Sequence, residues 1–245
     1  MNRATEDIAG NRGHVFIVTY GRSGSTLLQR VLQSIDGYFI RGENNHTLYP
    51  LYLAWRRAYE ARFEFGKNQH GETNPWYGAD AIRPAEFGAK VCQAFLEEII
   101  RPPETARVVG FKEIRFHEAG DDLFEPYLDF IHSNFANSKF VFNMRGWENV
   151  SKSSWWATMK PERVRAIIEG CDALYTAYAA KYPERCHMMH YEDHAGNPDA
   201  YAGLFEFLGE PFDRAKVADL IETRLEHAIH VTGGPKESGL SIKQV

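Results

Sequence analysis

Apolar residues gather in four short runs, 14–20, 107–114, 139–144 and, less continuously, 186–191. Unbroken runs of this length predict strands buried on both faces. Between them the spacing changes to three and four: Leu28, Val31, Leu32 and Ile35 share one face of a helix beginning near Thr26. Phe87, Val91, Phe95 and Ile99 do the same over residues 85–100. A further helix is predicted over 161–181. Another is opened by Asn197 as cap and Pro198 in its first turn and stopped by Gly209, with Leu204, Phe207 and Leu208 facing inward. Strands alternating with helices in this order predict an α/β fold, a parallel sheet flanked by helices on both faces. Ligands of such sheets bind beyond the carboxyl ends of the strands. Residues 41–83 break the pattern and are rich in aromatics, so they are expected to form an insertion that caps the site. The rest, 14–245, reads as one domain behind a flexible N-terminus of residues 1–13.

Composition narrows the function. Lys plus Arg number 28 against 33 Asp plus Glu, a net charge of -5, which argues against general binding to nucleic acid or to an anionic membrane. An anionic ligand would therefore need local basic groups. The three cysteines, Cys92, Cys171 and Cys186, are odd in number and show no C-x-x-C spacing, which suits a reducing compartment and makes the cytoplasm the expected location. No stretch approaches the roughly 20 apolar residues needed to span a bilayer. Oligomeric state is not legible.

The first apolar run leads directly into Tyr20-Gly21-Arg22-Ser23-Gly24-Ser25-Thr26 and then a helix. Strand, glycine-bearing loop and helix start make a P-loop-like phosphate cradle. Gly21 and Gly24 permit positive φ and close backbone approach, and the free amides of the helix start point at an anion. Ser25 and Thr26 add hydroxyl donors, and Arg22 adds a fork for two oxygens. A Walker A loop would need a longer glycine spacing and Lys after the second Gly, so ATP hydrolysis is disfavoured.

The loop resembles the 5'-phosphosulfate loop of the sulfotransferase superfamily, Y-P-K-S-G-T-T-x-L, with Gly21 for Pro and Arg22 for Lys. Further segments resemble the family in its order over residues 15–212. Phe142-Asn-Met-Arg145 ends a strand, and Ser153 follows eight positions later. The resemblance makes this pair the 3'-phosphate element of 3'-phosphoadenosine-5'-phosphosulfate (PAPS), with Ser153 expected two turns into the following helix. Gly146 stands where the family usually has Asp or Asn. Tyr191-Glu192-Asp193 with Phe207-Leu208-Gly209-Glu210-Pro211-Phe212 is similar to the family's Y-E-D-L…F-L-G-x-P-F segment, which would place Tyr191 beside the adenine; a core tyrosine at a strand end is the alternative. The implied nucleotide-binding set is Gly21, Arg22, Ser23, Gly24, Ser25, Thr26, Leu27, Arg145, Ser153 and Tyr191.

The implied reaction moves a sulfuryl group in line from PAPS to a small-molecule or carbohydrate acceptor and releases 3',5'-adenosine bisphosphate (PAP). Positioning and charge stabilisation would supply most of the rate. Arg22 and Lys112, the latter at the end of a strand, are the candidate cations. Phe39-Ile-Arg-Gly42-Glu43-Asn44 resembles the G-E segment that supplies a glutamate base in carbohydrate and bacterial sulfotransferases, so Glu43 is the candidate base, with burial expected to raise its pKa. Where phenol and steroid sulfotransferases carry His, this chain has Ile114. His117 and His46 are the nearby substitutes, each more readily explained as structural. No metal site is expected. Leu48, Tyr52, Trp55, Tyr59 and Phe63, with Trp76, Tyr77, Trp155 and Trp156, are either core or acceptor wall. The alternative functions are a nucleotide-dependent kinase and a non-catalytic nucleotide-binding module.

Overall fold

The computed structural model describes residues 13–230, the side chains of 224–230 excepted; the N-terminus expected to be flexible lies, but for Gly13, outside the described residues. Five strands, β1 (Gly13–Thr19), β2 (Tyr38–Arg41), β3 (Val108–Glu113), β4 (Ser138–Met144) and β5 (Cys186–His190), form one sheet in the order β2-β3-β1-β4-β5. Every pairing is parallel. The four predicted runs are thus strands. β2 is the addition, a four-residue edge strand that periodicity did not reveal.

The helices are α1 (Ser25–Gln33), α2 (Leu48–Glu60), α3 (Pro84–Ala94), α4 (Asp121–Asn134), α5 (Trp147–Ser151), α6 (Pro161–Lys181), α7 (Tyr191–His194), α8 (Ala202–Leu208) and α9 (Arg214–His230). Side chains alternate along each strand, so the sheet builds two cores. Phe16, Val18, Phe111, Phe140 and Phe142 pack on one face with Tyr52, Phe95, Tyr127, Ile168 and Tyr175. Val15, Ile17 and Val141 pack on the other with Leu28, Val31, Leu204, Val217 and Ile221. Among the described residues, no helix is long and apolar enough to cross a membrane. Cys92, Cys171 and Cys186 are free and buried, and burial pushes each thiol up to about 12.

Three local expectations change. The helix over 85–100 relaxes after Ala94 into a π-helical turn, Phe95–Ile100. That widening rotates the apolar face, so Phe95 and Ile100 are buried while Ile99 is exposed; Phe87, upstream in α3, is exposed as well. Asn197 caps a 3-10 turn, Pro198–Tyr201, by accepting from Asp199 N–H, and α8 follows it. Phe205 rather than Phe207 is its third core residue. Residues 41–83 are partly regular: α2, a π-helical turn Ala61–Phe65 and a 3-10 turn Ala79–Ala81.

Candidate active site

The β1–α1 loop has two left-handed residues flanking Ser23, Arg22 at φ 67° and Gly24 at φ 81°. This alternation turns successive amides toward one concavity. Gly24 is the N-cap of α1 and supplies no side-chain hydrogen bond, so the amides at the very start of the helix, before Leu27, are left for an anion. The glycines also meet a steric need. A Cβ on Gly24 would lie 2.1 Å from Tyr191 Cδ2, and one on Gly21 would lie 2.3 Å from Trp155 Cζ2.

A buried polar chain fixes the loop from below. Thr19 Oγ1 donates to Asn143 O at 2.7 Å and lies 2.6 Å from Ser23 Oγ; Asn143 Nδ2 donates to Ser23 O at 2.9 Å. Asn143 Oδ1 is 2.9 Å from His194 Nε2, and His194 Nδ1 is 2.8 Å from Tyr201 OH. The hydroxyl of Ser23 is therefore turned into the protein as a brace. Leu27 sends its side chain into the core and its amide to Gly24 O at 2.9 Å. Of the predicted loop residues, Arg22 and Thr26 are exposed at the surface and Ser25 is buried at the helix start.

The two segments far apart in sequence close on this loop. Arg145 donates from a terminal nitrogen to Arg22 O at 2.9 Å, and Arg22 Nε donates to Ser153 Oγ at 2.8 Å. The Arg145 guanidinium carbon sits 4.3 Å from the centre of the Tyr191 ring, while its buried Nε has no hydrogen-bond partner among the described residues. Ser153 is not two turns into a helix. α5 stops at Ser151, and Ser153 caps the 3-10 turn Ser154–Thr158. Tyr191 packs against Gly24 and Arg145, so its ring supports the loop.

Several braces escaped the sequence. Tyr20 OH accepts from Arg145 N–H at 2.7 Å and lies 2.8 Å from Arg145 O and 3.1 Å from Asp172 Oδ1. Burial raises the Asp172 carboxyl to about 6. Glu192 accepts from Gly146 N–H at 3.1 Å and from Asn149 Nδ2 at 3.4 Å. The turn that lacks the family's Asp or Asn is thereby tied to the Tyr-Glu-Asp segment. Trp156 is buried and donates Nε1–H to Gly21 O at 3.0 Å, whereas Trp155 is 49% exposed above the loop.

One strand over, Lys112 is 6% exposed and its Nζ lies 2.5 Å from Glu43 Oε1. Arg115 stands 3.7 Å from Glu43 Oε2. Glu43 is 37% exposed, so the burial expected of it is absent and two cations surround it instead. His46 is buried, its ring stacked on Tyr49 at 4.8 Å; desolvation lowers its pKa to about 4. Burial lowers His117 too. The aromatic stripe divides, with Leu48 and Tyr52 in the core and Tyr59, Phe63, Trp76 and Tyr77 exposed. A cleft of about 560 Å³ lies elsewhere, lined by Trp55, Asp121, Glu125 and Asp129 among others; its carboxylates oppose an anionic ligand. His190 and His194 have metal-site spacing, but no cluster able to hold a metal occurs among the described residues.

Residues 14–214 match the model of the sulfotransferase family. No curated protein matches the chain. Among solved structures it is similar to sulfotransferase STF9 from Mycobacterium avium, with 13% identity over 89% of this chain and 69% of that one and a TM-score of 0.44. The family match begins with β1, takes in the loop, the Arg145 and Ser153 segment and the Tyr191 segment, and ends at the first residue of α9: the chain belongs to the sulfotransferase family.

Proposed function

We propose that the chain transfers the sulfuryl group of PAPS to a hydroxyl or amine of a small-molecule or carbohydrate acceptor and releases PAP. The observation that carries this reading is the junction of Arg22, Arg145 and Ser153 in one hydrogen-bonded group beside the bare N-terminus of α1. Two guanidinium groups, first-turn amides and the orphan Arg145 Nε suit a ligand with two anionic ends. A Mg-dependent kinase would want Lys where Ser25 stands.

PAPS, when bound, supplies an activated S–O bond whose cleavage leaves the charge on its 5'-phosphate. The chain's own groups do the rest. Amides of the Arg22 loop and α1 hold the 5' end, and Arg145 and Ser153 take the 3'-phosphate. Glu43 accepts the proton of the acceptor as the acceptor oxygen or nitrogen attacks sulfur. Lys112 and Arg22 steady the charge that grows on the bridging and sulfuryl oxygens. Atoms balance as a sulfate ester or sulfamate, PAP and a proton on Glu43.

The test is ligand-induced stabilisation without magnesium, followed by transfer. PAP at about 100 times its Kd adds about 2.7 kcal/mol, a rise of about 5–10 °C in Tm for a domain of this size. ATP with magnesium should give little. Labelled PAPS with a panel of alcohols, sugars, phenols and amines then identifies the acceptor, and E43Q should bind PAP normally yet transfer poorly. Equal stabilisation by both nucleotides overturns the 3'-phosphate assignment, and undiminished transfer by E43Q overturns the base.

A further inference from the structure

We infer that Glu113 is a positioning residue for transfer: its carboxylate clamps the backbone of the segment that carries Glu43 and so sets Glu43 against Lys112. This rests on Glu43 being the base. Glu113 ends β3 and is 0% exposed. An isolated carboxylate would be costly there, and it persists only if hydrogen bonds replace its lost water. Donors supply that on both sides. Oε2 accepts from His46 N–H at 2.8 Å and from Asn44 N–H at 3.2 Å. Oε1 accepts from Ile114 N–H at 2.8 Å and from Arg115 at 3.3 Å.

The clamped segment needs an external hold. Asn45 and His46 are consecutive left-handed residues, at φ 56° and 58°, and neither is Gly. Such backbone costs on the order of 1–3 kcal/mol per residue and survives where its surroundings over-determine it. Pairing of β2 with β3 runs only to Arg41 and Phe111, so the ladder stops two residues short of Glu43. Glu113, two residues beyond Phe111, takes over the alignment with its side chain. Lys112 and Glu113 are neighbours on one strand. One holds the Glu43 carboxylate at 2.5 Å and the other holds the amide that follows Glu43, so the rigid strand end fixes both. Arg115 closes the ring, 3.3 Å from Glu113 and 3.7 Å from Glu43. Glu113 reaches the reaction only through this backbone and through Arg115.

E113Q puts an amide nitrogen where backbone donors converge, whereas E113D keeps the charge and withdraws it by one methylene. The clamp is read first by hydrogen exchange in the intact chain. In E113Q the amides of Asn44 and His46 should exchange at least tenfold faster, while those of β1 and β4 stay unchanged. Turnover of labelled PAPS with the best acceptor of the wild-type panel should fall by about a hundredfold, the cost of a misplacement near 1 Å, with PAP affinity unchanged; E113D should fall between. In an E43Q background E113Q should cost nothing more, because both act through one carboxylate. Wild-type exchange at Asn44 and His46, or a loss of turnover that adds in full to that of E43Q, overturns the inference. Should E113Q fail to fold, E113D carries the same two comparisons. Full activity in E43Q would instead remove the base reading, which a defect confined to Glu113 variants does not touch.

Discussion

Gly24→Ala tests the proposed nucleotide loop most sharply, because two separate costs can be worked out and separated. The new methyl would sit 2.1 Å and 2.2 Å from Cδ2 and Cε2 of Tyr191, so the ring must retreat by more than an ångström to reach ordinary contact. Retreat pulls it from under the Arg145 guanidinium, now 4.3 Å from its centre, a contact worth about 0.5–1 kcal/mol at a partly open site. Alanine at φ 81° adds about 1–2 kcal/mol for left-handed backbone. The sum is about 1.5–3 kcal/mol, or roughly 3–12 °C in Tm, and PAP should bind more weakly as Arg145 loses its platform. Calorimetric melting and PAP titration measure both. In a Tyr191→Ala background the methyl meets no ring, and only the backbone cost should remain, a coupling of about 1 kcal/mol. If Gly24→Ala costs as much without the ring as with it, Tyr191 does not pack on the loop as described.

Asn143→Ala removes the amide joining Ser23 O to His194 and should destabilise by about 2–4 kcal/mol, since buried groups lose compensation on two sides; an unchanged urea midpoint would rule out this brace. Stability between pH 4 and 6.5 should reflect two opposed groups. His46 is held neutral, with its pKa lowered from 6.5 to about 4, so its contribution is complete above 6.5 and is lost as pH falls toward 4, on the order of 3 kcal/mol. Asp172 is raised from 3.8 to about 6, so its contribution is complete below 3.8 and is lost as pH rises through 6. Asp172→Asn should therefore steepen the loss on acidification in urea unfolding; parallel pH curves for that variant and the wild type would contradict the assignment.

Much of this was legible because buried parallel strands read as apolar runs, which β1, β3 and β4 had and the edge strand β5 had less continuously. β2 did not: four residues at a sheet edge, half-buried at Tyr38 and Phe39, carry too little pattern. α4 was hidden by its acidic start and by Pro126 inside it. For the candidate site, motif order named Arg22, Arg145 and Ser153, which share one hydrogen-bonded group, and Lys112 and Glu43, which form an ion pair. The supporting residues were not visible, because each depends on which strands are neighbours. Asn143 matters because β4 pairs with β1 at Thr19, and Glu113 because β3 lies between β1 and β2. A charged residue inside the apolar run of β3 was the one available signal for Glu113.

Strand order also explains how a chain of net charge -5 would hold the polyanionic nucleotide of the proposed reaction. Arg22 follows β1, Arg145 follows β4, and Lys112 and Arg115 lie at the end of β3, three strands adjacent in the order β3-β1-β4. Since all run parallel, their carboxyl ends open on one edge and the cations collect there whatever the net charge. Glu43 enters after β2 and Glu113 ends β3, while Asp172 and Glu192, on the β4 side, are occupied by Tyr20 OH and by Gly146 N–H and Asn149. At roughly 4.8 Å per strand, β4 to β2 spans about 14 Å, so on the proposed reaction the nucleotide phosphates lie over β1 and β4 and the acceptor over β3 and β2. Lys112, on the strand between, is then the cation best placed to meet the charge that passes from acceptor to leaving group, and Glu113 on the same strand end is placed to keep the base in line with it.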